Sequence, residues 1–130
     1  MQRCWLLDEH RYNILFGVDE MLLSGLAAGC DGAVGSTYNF MAPLYHEVIH
    51  HFENGNLDAA RSAQWKAAEL IQVIIRRHGV SGLKEAMGFS GIPCGPPRLP
   101  LPTLTEEERV QMRAELEALG FLDYAHGQGG

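Results

Sequence analysis

The 130-residue sequence predicts an α/β chain that is helical over most of its length, two strand-then-helix units followed by a helical extension. Three observations predict it. A β-prone run, Tyr12, Asn13, Ile14, Leu15 and Phe16, stops at Gly17 and meets the acids Asp19 and Glu20, which open a segment of helical spacing. A second short run, Gly32, Ala33, Val34 and Gly35, leads in the same way into Ser36, Thr37 and Asn39. From Asn56 onward the apolar period is that of helices alone. Alternation of strand and helix is the pattern of parallel βα units, in which the loops after the strands carry chemistry.

The first helix packs through Met21, Leu22, Gly25, Leu26 and Ala28, and Gly29 stands where a left-handed residue ends a helix. Asn39 is the expected cap of the second, which has Pro43 in its early part, where a missing N–H does little harm, and runs to Glu53. In the extension, Leu57, Ala60, Ala63, Ala67, Leu70, Ile71 and Ile74 share one face of a long helix. Arg76, Arg77 and His78 suit the negative end of its dipole before Gly79. A short helix over residues 81–87 follows, and then residues 92–102, whose prolines exclude helix and favour extended geometry. Thr105 and Glu108 have the spacing of a capping box for a last helix that packs through Met112, Leu116 and Leu119. The chain is expected to finish in a frayed tail over residues 124–130.

Composition narrows the function. A formal net charge of -6 with ten Lys plus Arg argues against a nucleic-acid partner, because affinity for a phosphate backbone needs clustered cations. Cys4, Cys30 and Cys94 are odd in number and far apart, which points away from a disulfide framework or a zinc knuckle. With no apolar stretch of about 20 residues and no signal-like start, a cytoplasmic protein with no membrane partner is expected.

Asp19 and Glu20 fall at the carboxyl-terminal edge of a strand, where α/β proteins place ligands. Two adjacent carboxylates beside the Gly17 carbonyl can accept hydrogen bonds from successive hydroxyls of a polyol; equally, acids in a first turn are favoured by the helix dipole. Ser36 repeats the arrangement after the second strand, as a ligand donor or as a turn hydroxyl satisfying backbone. His46 and His50, four apart on a helix with His51 adjacent, have a chelating spacing but no obvious third ligand. Lys66 and Lys84 follow no strand, and both read as solvated helix lysines rather than as desolvated nucleophiles.

GVDE at 17–20, LLSGLAAGCDGAVGSTYN at 22–39, GLKEAM at 82–87 and SGIPCGPPRLPL at 90–101 together resemble the sialic-acid aldolase, or N-acetylneuraminate lyase, family, over about residues 13–122. The resemblance implies part of a (β/α)8 TIM barrel: residues 12–55 as its last two βα units, strands seven and eight, and residues 56–123 as a helical extension, with residues 1–11 a divergent lead-in. It implies aldol cleavage of N-acetylneuraminate to N-acetylmannosamine and pyruvate through a lysine Schiff base on strand six, assisted by a tyrosine on strand five, with no cofactor or metal, in a homotetramer. The hydroxyl-rich tail of the sugar is then expected at the Gly17 carbonyl, Asp19, Glu20 and Ser36. A whole barrel takes about 250 residues, so this chain is expected to hold sugar contacts but no catalytic residue, and to be incomplete as an enzyme when alone. Two other roles remain open: a noncatalytic interaction protein that docks residues 96–102 in an SH3-like groove, and association with a full-length lyase.

Overall fold

The computed structural model describes residues 2–125. A short helix α1 (Gln2–Trp5) and a 3-10 turn (Leu7–His10) precede β1 (Leu15–Phe16). A second 3-10 turn (Asp19–Met21) and helix α2 (Leu22–Ala27) lead to β2 (Gly32–Ala33). The remainder is helical: α3 (Tyr38–Glu53), α4 (Leu57–Ile75), α5 (Val80–Phe89), α6 (Glu106–Ala118) and α7 (Phe121–Ala125).

The strands pair in parallel, Leu15 opposite Gly32 and Phe16 opposite Ala33. They are shorter than the expected runs. Backbone bonds from Asp31 N to Ile14 O and from Val34 N to Phe16 O, both 2.9 Å, extend the contact by one residue at each end, but no further strand among the described residues continues the ladder. Two-stranded pairs are marginal by themselves, and this one is held by what packs on it. Gly25 of α2 lies so close to Phe16 that a Cβ would stand 2.5 Å from the ring, so the helix seats directly on the strand. Gly29 ends the βα unit at φ +86°, the left-handed stop read from the sequence.

Helix α3 departs from expectation at its start. Thr37, not Asn39, holds the cap position, and its side chain makes no cap bond because it is engaged elsewhere; Asn39 donates from Nδ2 to Ser36 O at 2.9 Å. Met41 has φ -131°, a break after which the helix restarts with Pro43 in its first turn, where the missing N–H costs little. Helix α4 is capped by Asn56, whose Oδ1 accepts from Ala59 N, and α6 by the Thr105–Glu108 capping box. The core lies between these helices: Met41, Leu44 and Val48 of α3 face Ala67, Leu70 and Ile74 of α4, with Met112, Leu116 and Phe121 closing the far side. Helix α7 brings Tyr124 and Ala125 against that core, two residues into the stretch expected as tail; residues 126–130 lie outside the described residues.

The proline-rich segment crosses from α5 to α6 under two ties. Lys84 Nζ donates to the carbonyls of Cys94, Gly95 and Pro96 at 2.9, 3.2 and 3.1 Å, and Ser81 Oγ donates to Pro102 O at 2.5 Å. No described helix is long and apolar enough to cross a membrane. On the strand side, Leu15 is 57% and Val34 61% exposed, an apolar flank uncovered within this chain. The junction of α4 and α5 is the tightest point of the extension: a Cβ on Gly82 would fall 2.2 Å from Ile74 O. Gly82→Ala is therefore expected to lower stability by about 1–3 kcal/mol in urea unfolding, whereas Gly88→Ala, where a methyl meets open space, stays neutral or gains up to about 1 kcal/mol.

Candidate functional site

The two strands end side by side, so the residues that follow them share one edge. After β1 come Gly17, Val18, Asp19 and Glu20; after β2 come Val34, Gly35, Ser36 and Thr37. Asp19 joins the two ends. Its Oδ2 accepts from Thr37 N at 2.9 Å and from Thr37 Oγ1 at 2.5 Å, and the residue is 7% exposed. Gly35 makes room for this, since a Cβ there would sit 1.7 Å from Asp19 Oδ1. The Gly-Ser-Thr sequence after β2 is thus a receptor for a carboxylate from the neighbouring strand end.

Thr37 Oγ1 also lies 2.5 Å from the Tyr45 hydroxyl on α3. A threonine has one hydroxyl proton, and Asp19 takes it, so Tyr45 must be the donor to Thr37. The relay runs Tyr45 to Thr37 to Asp19. Burial raises the Tyr45 phenol far above its ordinary range, and the Asp19 charge adds to this; the hydrogen bond to Thr37 opposes it only in so far as Thr37 has a proton to give. Tyr38 stacks edge-on to Tyr45 at 4.4 Å, and its phenol is raised as well, by burial first and then by Asp19; its hydroxyl is buried without a partner.

A third element reaches the same turn. Gln64 of α4, 6% exposed, donates from Nε2 to Asp19 O at 3.3 Å and accepts Leu23 N on Oε1 at 2.8 Å.

The four residues expected to meet a sugar tail are placed unequally. Gly17 is exposed at the end of β1, with only Val34 O, 3.8 Å away, near where a side chain would stand. Asp19 has Oδ2 committed to Thr37, and its Oδ1 lies against Gly35. Ser36 is exposed and borders a cavity of about 440 Å³ whose walls include Leu83, Lys84, Met87 and Cys94. Glu20 is half-buried and borders a different cavity, of about 340 Å³, with Arg61, Gln64 and Trp65. Gly17, Asp19 and Ser36 therefore share the strand edge, while Glu20 turns toward α4.

Neither lysine resembles a nucleophile in position: all three Lys84 contacts are to carbonyls, and Lys66 lies mid-helix beside Glu47 and His51. His50 Nδ1 is 3.3 Å from Asn54 Nδ2 and its ring packs edge-on against His51. Thr37, Tyr45 and Gln64 were not among the residues singled out in the sequence. Gln64 did carry a signal, as a polar residue within the apolar stripe of α4, where burial demands a partner.

Residues 3–119 match the dihydrodipicolinate synthetase family. The chain belongs to that family. Within it, N-acetylneuraminate lyase of Rattus norvegicus is 42% identical over 118 residues, covering 89% of this chain and 37% of that protein. The Mus musculus lyase is 43% identical over 116 residues, 88% of this chain and 36% of that one. Among solved structures, Proteus mirabilis N-acetylneuraminate lyase superposes with a TM-score of 0.88 at 42% identity, over 93% of this chain and 41% of that one. The N-acetylneuraminate lyase (sialic acid aldolase) of Aliivibrio salmonicida gives 0.87 at 39% identity, over 96% and 42%. The chain thus spans under two-fifths of the length of the curated relatives, and it holds a parallel strand pair and helices of this family's fold without a closed barrel among the described residues.

The relay sets a pH response. A phenol whose folded pKa is raised stays protonated where the unfolded phenol ionises, so its contribution is full below about pH 10 and is lost as pH rises beyond it. Thermal melts of the parent should fall above about pH 10, and Tyr45→Phe should remove only part of that fall, since the raised Tyr38 phenol supplies the rest, while lowering stability at neutral pH by about 1 kcal/mol.

Proposed function

We propose that this chain supplies the sugar-tail contacts of an aldolase of the N-acetylneuraminate lyase type and that the Schiff-base lysine comes from elsewhere. In this reading β1 and β2 are the seventh and eighth strands of a (β/α)8 barrel, residues 12–55 are its last two βα units and residues 56–123 the extension that follows. The observation that carries the proposal is the bond from Thr37 to Asp19, which fixes one acid at the strand edge beside Gly17 and Ser36.

The Gly17 carbonyl, Asp19 Oδ1 and Glu20 accept from hydroxyls of the tail, and Ser36 donates or accepts as its rotor allows. Four such contacts, each contributing about 0.5–1.5 kcal/mol net, give millimolar affinity at best, because nothing at this edge meets the carboxylate of the substrate. Cleavage requires a lysine amine to condense with the keto carbon, with loss of water, in a dry pocket. Lys84, held by three carbonyls, and Lys66, on α4, are not placed for it. The exposed flank at Leu15 and Val34 favours docking against a polypeptide that carries the other six βα units.

A second reading has one observation in its favour: the proline-rich loop projects outward, with Leu99 93% exposed, as a ligand for an SH3-like groove requires. Arg98→Ala should then abolish capture by an SH3 panel.

Trapping with pyruvate and borohydride, read by intact mass, tests the main proposal. The chain alone should gain no adduct. Mixed with a polypeptide carrying the six remaining βα units, it should support cleavage of N-acetylneuraminate, with the adduct confined to that partner. An adduct on Lys66 or Lys84 contradicts the proposal.

A further inference from the structure

The turn that carries Asp19 and Glu20 is a 3-10 turn, held by Met21 N to Val18 O at 3.0 Å and by Leu22 N to Asp19 O, and it is not continuous with α2. Its first residue is preceded by Val18, which offers no side-chain cap, and Met21, with φ -128° and ψ 21°, breaks it from α2. Were the helix continuous across Met21, Leu23 N would bond directly to Asp19 O, its partner four residues back. Those two groups are the ones that Gln64 occupies: Nε2 donates to Asp19 O at 3.3 Å and Oε1 accepts Leu23 N at 2.8 Å. The carboxamide is inserted into a single missing helical hydrogen bond. A carboxamide suits this place because it needs one donor and one acceptor on the same planar group.

We propose that Gln64 is a positioning residue for ligand binding: by wedging open the Leu23–Asp19 hydrogen bond it breaks the helix and turns Asp19 toward the end of β2. This rests on the sugar-tail reading above and deepens it by making the helical extension part of the binding machinery. From the β2 side, the Thr37 amide and hydroxyl receive Asp19 Oδ2 in the position that the wedge creates. Asp19 is thus fixed at both ends, its main chain by α4 and its carboxylate by the β2 end. Without the amide, Leu23 N can replace Leu22 N as the partner of Asp19 O, and a closed α-helical turn carries Asp19 away from Ser36.

The test is N-acetylneuraminate binding to the full chain by ligand-observed NMR, well below the melting temperature, for the parent, Gln64→Met and Gln64→Glu. Methionine has neither group; glutamate keeps the acceptor for Leu23 N and lacks the donor for Asp19 O. Both variants should weaken binding about fivefold or more. Ala63→Gly, which loosens α4 without touching the turn, serves as a variant destabilised to a similar degree and should leave the dissociation constant unchanged. Equal binding by parent and both Gln64 variants, or an equal loss in Ala63→Gly, overturns the positioning role and leaves the sugar-tail reading standing. No binding by the parent overturns that reading, and the positioning role with it.

Discussion

A carboxylate crossing from one strand end to the next is the constraint on which the rest of the site depends. In a parallel pair, backbone hydrogen bonds hold the strands but say nothing about how the segments beyond them lie. Here Asp19 Oδ2 takes both donors of Thr37, and Thr37 takes the proton of Tyr45, so the loop after β1, the loop after β2 and helix α3 become one body. Two small residues make this possible. Gly35 leaves the space that the carboxylate fills, and Gly25 lets α2 lie on Phe16, which sets the distance from which Asp19 reaches across. A charge buried to this degree is costly unless hydrogen-bonded, and the relay meets that requirement.

Around this joint the distribution of stability is lopsided. Two strands of two residues contribute little, while α3, α4, α6 and α7 enclose the buried core of Met41, Leu44, Leu70, Ile74, Leu116 and Phe121. The packed helices, α3 together with the extension, are therefore the scaffold, and the strand edge is presented on them. Gln64 and Lys84 show the same division of labour: each reaches from an extension helix to fix irregular backbone, at the Asp19 turn and at the proline-rich loop. The opposite side leaves Leu15 and Val34 uncovered within this chain.

Much of this was legible in the sequence, because the signals were local. Both strand–helix units, the left-handed stop at Gly29, the buried face of α4 and the Thr105–Glu108 capping box depend on residues within a turn or two of one another. Motif resemblance identified the family. What escaped was nonlocal. Thr37 reads only as part of a glycine-serine-threonine loop, since its partner Asp19 lies 18 residues earlier, and Asn39 is the expected cap because Asx side chains rank above threonine there. Gln64 acts on a residue 45 positions away, and α7 forms because Phe121 finds the core, not because its five residues favour helix. Strand length was overestimated for a related reason: β-prone residues extend a ladder only where a neighbour is there to receive them.

The joint itself can be measured apart from any ligand. A double-mutant cycle in urea unfolding, with Asp19→Asn, Thr37→Val and both together, isolates the side-chain bond between the two strand ends, the Thr37 amide being kept. If that interaction organises the edge, the coupling energy should be about 1.5–3 kcal/mol, the range for hydrogen bonds to a charged group. Effects that add to within about 0.5 kcal/mol would mean that Asp19 and Thr37 are neighbours without being partners, and the account of the site would be wrong at its base.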